Sequence, residues 1–433
     1  MKKLTLLLFS LLFFRLADAQ EDSLLLQYRQ KALDYQQQIK IAEHQLSGAE
    51  SKVSAAKSGQ LPSLDFNSNF TFYGVPLQLA PPADAPLGTP GEELHNIYSL
   101  NLDLYQPILQ GGQLKHEKRS AMSEVEMMKS YVGMNKQQVI LNSDMHYWNA
   151  VSKKETYNLY MKYKEVIGKF VKVIKDRVEE EVTGKNELYQ AMVRYNDAEY
   201  KTIRSQKEYM VSIMNLNKMI GEPVNNPTSV ADSLVAVQWL KTSDNLSELA
   251  INQRPELNYF KNEIEKYTSD EKLVISKYNP QLGLIAGGKW GSPSPGLQKS
   301  PDFNYKVGAR LSIPIFHWGQ KREKRFTAHQ LVEIANLKLE ETRDRVKMEV
   351  ESSYYKLERS QEQLDFARSS LANAAKNVSV MLDRYNEGLS SVLEVLDAQL
   401  DWQKTYYNYI LAKYDLNVAY SQYQYAVGNF VQP

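Results

Sequence analysis

The sequence predicts an internally duplicated membrane protein of mixed α and β class, with four membrane-spanning strands and helices too long for a compact domain. Three observations predict this class. The segment from Tyr98 to Gly221 recurs at a constant offset of 207 residues, up to Gly428. Four short segments alternate apolar and polar residues. Two proline-free stretches of about 65 residues carry apolar residues in steps of three and four.

The duplication is visible in pairs of identical residues along both copies. The matched pairs are Tyr98 with Tyr305, Pro107 with Pro314, Gly112 with Gly319, Tyr147 with Tyr354, Arg177 with Arg384, Ala191 with Ala398, and Gly221 with Gly428. Upstream the offset is 218, which aligns Pro62 with Pro280 and Leu64 with Leu282, so the first copy carries eleven extra residues there. We therefore predict a first repeat over 20–221, a linker over 222–245 and a second repeat over 246–433.

The N-terminal residues have the pattern of a secretory signal peptide. Lys2 and Lys3 precede an apolar run, and a small-residue pattern ends at Ala19, so we predict a signal peptide over 1–19. The chain has no cysteine, which excludes a disulfide and a thiolate metal site. No later stretch of 18 apolar residues exists, so we expect contact with the membrane through strands rather than a helix. The balance of 52 basic and 51 acidic residues gives no indication of nucleic-acid binding.

The alternating segments predict strands over 63–73, 97–106, 281–290 and 303–313. In the first, Leu64, Phe66, Phe70 and Phe72 share one face, opposite polar residues such as Asp65. Strands of roughly 9–11 residues with an apolar and a polar face are typical of transmembrane barrels. A soluble sheet with one wet face is the alternative, but the signal peptide and the repeat favour the membrane. The connections over 74–93 and 291–302 contain proline and glycine and predict loops.

Four strands leave two open edges, and unpaired backbone groups are not tolerated in hydrocarbon. The chain must therefore associate with copies of itself, and three copies would supply a 12-stranded barrel. The proline-free stretches predict long helices over 113–180 and 320–387, each about 100 Å long at 1.5 Å per residue. Shorter helices are expected over 21–58, 186–220, 246–278 and 392–427, so that two short helices match one long helix in a tall helical cylinder. The linker is expected to pack as a belt around it.

Two motifs in the second copy carry a family resemblance. The run R-Y-x-x-G-L-S-S-x-x-E-V-L-D-A-Q begins at Arg384, and the strand end P-I-F-x-W-G-Q closes at Gln320. With the duplicated order of helices and strands, these resemble the TolC-like outer membrane efflux proteins over the whole mature chain. The resemblance implies a homotrimer in the outer membrane lipid, with a 12-stranded barrel continued by a helical tunnel through the periplasm. It also implies a periplasmic membrane-fusion adaptor and an inner membrane transporter of RND or ABC type as partners.

The resemblance also implies where the adaptor docks. In the family, a glycine allows a tight turn at the periplasmic tip, and the adjacent apolar residue contacts the adaptor. The matching residues are Gly388 and Leu389. In the first copy the equivalent positions are Glu181 and Val182, and the nearest glycine, Gly184, lies three residues further on.

The same resemblance implies a periplasmic pore constriction and a contact that closes the tip. Glu394 and Asp397, with Glu187 in the first copy, match acidic residues that narrow the pore. Rings of carboxylates favour cations. The alternative is that Glu394 and Asp397 only lie near a helix N-terminus, where carboxylates stabilise the helix dipole. Tyr385 matches a residue that ties the closed tip together, but Ser390 stands where the family has its basic partner, which predicts an altered lock.

Nothing in the sequence predicts an enzyme or a cofactor. The histidines have no metal-ligand spacing, and no phosphate loop or nucleophile elbow is present; they are His44, His95, His116, His146, His317 and His329. The leading hypothesis is a passive exit duct of a tripartite efflux or type I secretion system. A structural coiled-coil spacer and a standalone porin-like channel are the alternatives. The sequence does not choose between drugs, metal ions, detergents and polypeptides as cargo.

Overall fold

The computed structural model describes residues 23–79, 81, 86, 91, 93–237, 239, 246–293 and 299–430. The predicted signal peptide lies outside the described residues, as do parts of both strand-connecting loops and the end of the linker. Within the described part, eight helices and four strands follow one another along the chain: α1 Ser23–Tyr35, α2 Gln37–Ser58, β1 Ser63–Gln78, β2 Glu93–Gln110, α3 Gln113–Glu179, α4 Lys185–Ile220, α5 Leu246–Gln253, α6 Pro255–Ser276, β3 Gln281–Ser292, β4 Asp302–Ser312, α7 Gln320–Asn386 and α8 Val392–Val427.

The contacts divide the chain into two units. One unit contains all four strands, the adjoining parts of α2, α3 and α7, and nearly all of α6; it comprises residues 44–130 and 258–340. The other contains residues 131–257 and 341–433 together with the chain up to Glu43, and it includes both turns that join a long helix to a return helix. No helix in the described part of the chain is both long and apolar enough to cross a bilayer.

The strands form one antiparallel sheet in the order β1-β2-β3-β4. Its two hairpins have the same register, because Ser63 faces Tyr105 in the first and Gln281 faces Ser312 in the second. One face exposes large apolar side chains and the other is polar, as the alternation predicts. The exposed apolar residues of this face include Leu64, Phe66, Phe70, Phe72, Leu100, Leu102, Leu104, Leu284, Trp290, Phe303, Tyr305, Val307 and Leu311.

The first hairpin is longer than predicted, so the loop predicted over 74–93 is wrong at both ends. Pairing shifts register after Phe72 and resumes where Leu77 faces Leu94 and Gln78 faces Glu93. Pro76 lies inside this irregularity, where its missing N–H breaks no ladder hydrogen bond. Leu94 is buried in the structure. Its burial could not be inferred from the proline and glycine residues on which the loop prediction rests.

The polar face of the sheet carries an ion pair across a glycine. Asp103 faces Asp65 on one side and Gly287 on the other, and Gly287 faces Lys306. Lys306 Nζ lies 3.0 Å from Asp103 Oδ1. A Cβ atom at Gly287 would lie 2.7 Å from that carboxylate oxygen, so glycine leaves the space in which the two charges meet. Lys306 also offsets the repulsion between the two opposed aspartates.

The unit that includes both turns has a buried core formed by residues of both repeats. Tyr147 and Val151 of α3, Leu216 of α4 and Ile410 of α8 belong to one buried cluster. The linker packs on it through Val230 and Leu234. Charged pairs are also buried here: Arg29 is paired with Asp144, at 2.7 and 2.8 Å, and Lys413 with Glu155, at 2.6 Å. The sequence alone does not indicate these pairs, because the two members of each pair are far apart along the chain.

Two predicted helices are each interrupted at equivalent positions. The helix expected over 21–58 breaks at Gln36, and the one expected over 246–278 breaks at Arg254. Pro255 disfavours the helical conformation of the residue before it, which explains the second break. The two side chains cap the return helices: Gln36 Nε2 donates to Met219 O at 2.6 Å, and Arg254 Nη1 donates to Ala426 O at 3.2 Å.

Candidate functional site

The turns that join long and return helices follow the same backbone path in both copies. Val182 N donates to Arg177 O at 2.9 Å in the first turn, and Leu389 N donates to Arg384 O at 2.7 Å in the second. The residue before each donor is left-handed, with φ of 60° at Glu181 and 74° at Gly388. Both turns are therefore αL-capped helix ends of the Schellman type, and the lack of a glycine in the first copy does not change its path.

Each turn presents one apolar side chain to solvent. Val182 is 68 % exposed and Leu389 is 62 % exposed. The capping hydrogen bonds hold their backbone amides, so the two residues lie at matching points of matching turns. The structure thus places both predicted adaptor contacts where a partner can reach them, and the contact itself stays a prediction.

We expect replacement of Glu181 by glycine to stabilise the protein by about 1 kcal/mol, because a residue with a Cβ pays on the order of 1–2 kcal/mol in the left-handed region. The reverse change, Gly388→Ala, should destabilise it by a similar amount. Thermal unfolding of the detergent-solubilised protein, followed by helical circular dichroism, measures both. A lower melting temperature for Glu181→Gly would contradict this assignment of backbone strain.

Glu394, one of the acidic residues predicted to line the pore, also caps a helix. Ser391 and Glu394 form a capping box at the start of α8: Ser391 N donates to Glu394 Oε2 at 2.7 Å, and Glu394 N donates to Ser391 Oγ at 3.3 Å. At the start of α4, Gly184 provides no side-chain cap, and Glu187 instead accepts a hydrogen bond from Thr183 Oγ1. Glu187 and Glu394 occupy equivalent positions, but helix capping accounts for the contacts of Glu394 alone.

The cap sets the protonation of Glu394. The hydrogen bonds from the backbone N–H and hydroxyl of Ser391 lower the pKa of this carboxyl group below its usual 4.5. A lowered folded-state pKa contributes stability that is present above the unfolded-state pKa and is lost as the pH falls through the folded-state value. The capping interaction is thus complete at neutral pH and lost only in acid below pH 4.5.

We expect Ser391→Ala to cost about 1 kcal/mol of stability at pH 7, because the substitution removes a side-chain cap. Gly184→Ser should give a gain of a few tenths of a kcal/mol by building the missing box with Glu187. Position 184 has an extended backbone, at φ −82° and ψ 149°, and open space around a Cβ. Melting temperatures at pH 7 and at successively lower pH below 4.5 measure both effects, and a Ser391→Ala penalty that never falls while the protein remains folded would contradict the pKa assignment.

Asp397 lies one turn further along α8 and pairs with the other return helix. Arg194 Nη2 of α4 is 3.2 Å from Asp397 Oδ1, and both side chains are partly exposed. A pair this exposed contributes about 0.5 kcal/mol to stability. Asp397 is therefore partly exposed to solvent and paired with Arg194, and its place in a pore lining stays a prediction.

Tyr385 is buried within its own chain. Its ring meets the Phe170 ring edge-on at 5.2 Å, and the Arg177 guanidinium lies 4.4 Å from its centroid. Its hydroxyl has no hydrogen-bond partner among the described residues. Tyr385 thus ties α7 to α3 beneath the turns, and its role in closing the tip stays a prediction.

Sequence reasoning missed Phe170 and the stacking role of Arg177, because no spacing in the sequence brings α3 and α7 together. Ser390, which stands in place of the expected basic partner, donates from Oγ to Met381 O at 3.3 Å. Among the described residues, no group of three or more histidine or acidic side chains is placed to hold a metal ion.

The comparison with protein families decides the identity. The profile described as Outer membrane efflux protein matches residues 28–222 and 246–429, which is most of the chain. The chain belongs to the outer membrane efflux protein family. It is consequently an outer membrane protein that extends into the periplasm, and the fold class predicted from the sequence is confirmed.

Solved channels of the outer membrane share this fold. The Campylobacter jejuni CmeC outer membrane channel superposes with a TM-score of 0.79 at 19 % identity, covering 95 % of this chain and 87 % of that one. The outer membrane protein VceC from Vibrio cholerae gives 0.78 at 14 % identity, covering 94 % and 97 %. The open state of the Neisseria gonorrhoeae MtrE outer membrane channel gives 0.77 at 16 % identity, covering 94 % and 90 %. No curated protein matches the sequence.

Proposed function

We propose that this efflux-family protein is the passive exit duct of a tripartite efflux or type I secretion system. The observation that carries the proposal is the pair of equivalent turns, each of which holds one exposed apolar residue, Val182 or Leu389, at the end of a long helical hairpin. Small, rigid apolar projections are suited to dock into a partner with little loss of conformational entropy. We infer that the partner is a periplasmic membrane-fusion adaptor, which in turn connects to an inner membrane transporter of RND or ABC type.

The sheet supports assembly into a closed channel. Within one chain β1 and β4 are the edges of the sheet, and open edges are not tolerated in lipid. Three copies would close twelve strands into a barrel with the apolar face toward lipid and the polar face toward the lumen. The homotrimer therefore satisfies both the backbone and the side chains of the sheet.

The acidic residues at the start of the return helices support a selective constriction. In a threefold assembly Glu187, Glu394 and Asp397 each become three carboxylates around one axis, which would favour cations over anions. We assign both the energy for transport and the selection of cargo to the inner membrane transporter. Under this proposal the chain conducts whatever the transporter delivers.

The test is in-cell photo-crosslinking from a probe at Leu389, with Val182 as the second site and the exposed linker residue Val235 as the control. Mass spectrometry identifies what each probe captures. We expect a periplasmic adaptor at both turn sites and not at Val235. Capture of this chain alone at both turns would overturn the tripartite assignment and favour a standalone channel or a spacer.

A further inference from the structure

We propose that the strand register between neighbouring subunits is the same as the register of the β2–β3 pairing within one chain. Ser312 of β4 then lies opposite Asn67 of β1 in the neighbouring subunit. The proposal rests on the assembly described under the proposed function and goes beyond it, because closure of a barrel does not by itself fix which residues face each other. The same rule pairs Leu311 with Ser68 and Arg310 with Asn69.

The duplication gives the sequence offsets that relate equivalent strand residues of the two repeats. Adding 218 to Ser63 and 207 to Tyr105 gives Gln281 and Ser312, and these residues are opposed in the second hairpin as Ser63 and Tyr105 are in the first. The sequence offsets are therefore also structural offsets for the strands.

The junction between the two copies of the repeat then serves as the template. Within the chain, β2 of the first repeat pairs with β3 of the second, with Tyr105 opposite Ile285. In the assembly, β4 of one chain pairs with β1 of the next chain. Like the β2–β3 pairing, this contact joins the last strand of one repeat to the first strand of the other. Adding 207 to Tyr105 and subtracting 218 from Ile285 gives Ser312 and Asn67.

The side chains are compatible with this register. Ser312 and Asn67 both lie on the polar face, and Arg310 comes opposite Asn69, whose amide oxygen is an acceptor for a guanidinium. On the apolar face Val307 comes opposite Phe72. A slip of one residue would turn every side chain to the wrong face, so the alternatives that matter are slips of two residues.

The helices support the same equivalence between contacts within a chain and contacts between chains, independently of the sheet. Leu159 of α3 is 2 % exposed and Ile410 of α8 is fully buried, and both belong to one cluster. Their equivalents by the offset of 207, Phe366 of α7 and Ile203 of α4, are 75 % and 63 % exposed. If Phe366 of one chain meets Ile203 of the next as Leu159 and Ile410 share one cluster within a chain, both exposed side chains become buried.

The test is disulfide trapping in the outer membrane, for which the absence of cysteine from the chain gives a clean background. The variant Ser312→Cys/Asn67→Cys is compared with Ser312→Cys/Asn69→Cys and Ser312→Cys/Asp65→Cys, which report slips of two residues. Directly opposed Cβ atoms lie about 4.5–5.5 Å apart and diagonal ones about 7–8 Å, and a disulfide needs about 4 Å. We expect the Asn67 pair to form linked copies at least several-fold faster than either control.

A faster reaction of either control pair, or no cross-link in protein that migrates as a trimer on a native gel, would overturn the register while leaving the assembly intact. Monomeric protein on the native gel would overturn the assembly and the register together. The pair Phe366→Cys/Ile203→Cys tests the rule in the helices without touching the sheet. Linked copies are expected there too, and their absence from a trimer would contradict the extension to the helices.

Discussion

Replacing Leu389 with aspartate is expected to abolish binding of the adaptor while leaving the amount of folded protein in the outer membrane unchanged. The side chain is exposed, so the substitution costs the isolated chain little. Burial of a leucine in an interface is worth about 1.5–3 kcal/mol, and a carboxylate placed there adds the cost of removing a charge from water. The affinity should fall at least a hundredfold.

Val182→Asp should have a comparable effect, because the two turns share one geometry. The measurement is retention of the solubilised protein on the immobilised adaptor that the photo-crosslinking identifies. Leu389→Met, which keeps the apolar contact, and Val235→Asp, which adds a charge elsewhere on an exposed site, are the matched controls. Full retention of the Leu389→Asp and Val182→Asp variants would remove the turns from the adaptor interface.

Replacing Arg254 with alanine is expected to destabilise the protein by about 3–5 kcal/mol, the usual cost of removing one partner of a buried ion pair. The guanidinium is 3 % exposed and binds Glu256 through two hydrogen bonds of 2.9 and 3.0 Å. It also donates to the carbonyl oxygens of Tyr425 and Ala426 at the end of α8. Its loss leaves a buried carboxylate and two helix-end carbonyls without these donors.

The duplication supplies the control. Gln36 occupies the equivalent position and donates to Met219 O, so Gln36→Ala removes a neutral hydrogen bond and should cost about 1 kcal/mol. Chemical unfolding of the two variants in detergent, followed by circular dichroism, gives the difference. Equal penalties would show that the charge network around Arg254 contributes nothing beyond the capping of the return helix.

The long helices were predictable because their signal is repeated many times over. The helices expected over 113–180 and 320–387 run from Gln113 to Glu179 and from Gln320 to Asn386 in the structure. Proline-free apolar periodicity over some eighteen turns leaves few alternatives. The break at Gln36 was not predictable in the same way, because no proline or glycine marks it and its side chain reaches another helix. Pro255 does mark the break at Arg254 in the sequence.

The candidate site was predictable in position but not in contacts. The sequence placed both turns, yet it did not indicate that Glu181 adopts the left-handed conformation of Gly388, since the backbone capping hydrogen bonds of the turn hold this conformation without a glycine. Nor did it show that Tyr385 is buried against Phe170, because the pairing of two distant helices has no local signal. Glu394 had two readings from sequence alone, and its capping hydrogen bonds with Ser391 became visible only in the structure.

The most direct test of the exit-duct assignment is the single-channel current of the purified trimer in a planar bilayer. We predict a current that favours cations, and a weaker preference for cations in the Asp397→Asn variant, whose removed carboxylate is part of the proposed constriction. Leu389→Asp, which alters the docking residue and not the constriction, should conduct like the unmodified trimer. Absence of current from the trimer, including a trimer with both Glu394→Gln and Asp397→Asn, would contradict the account.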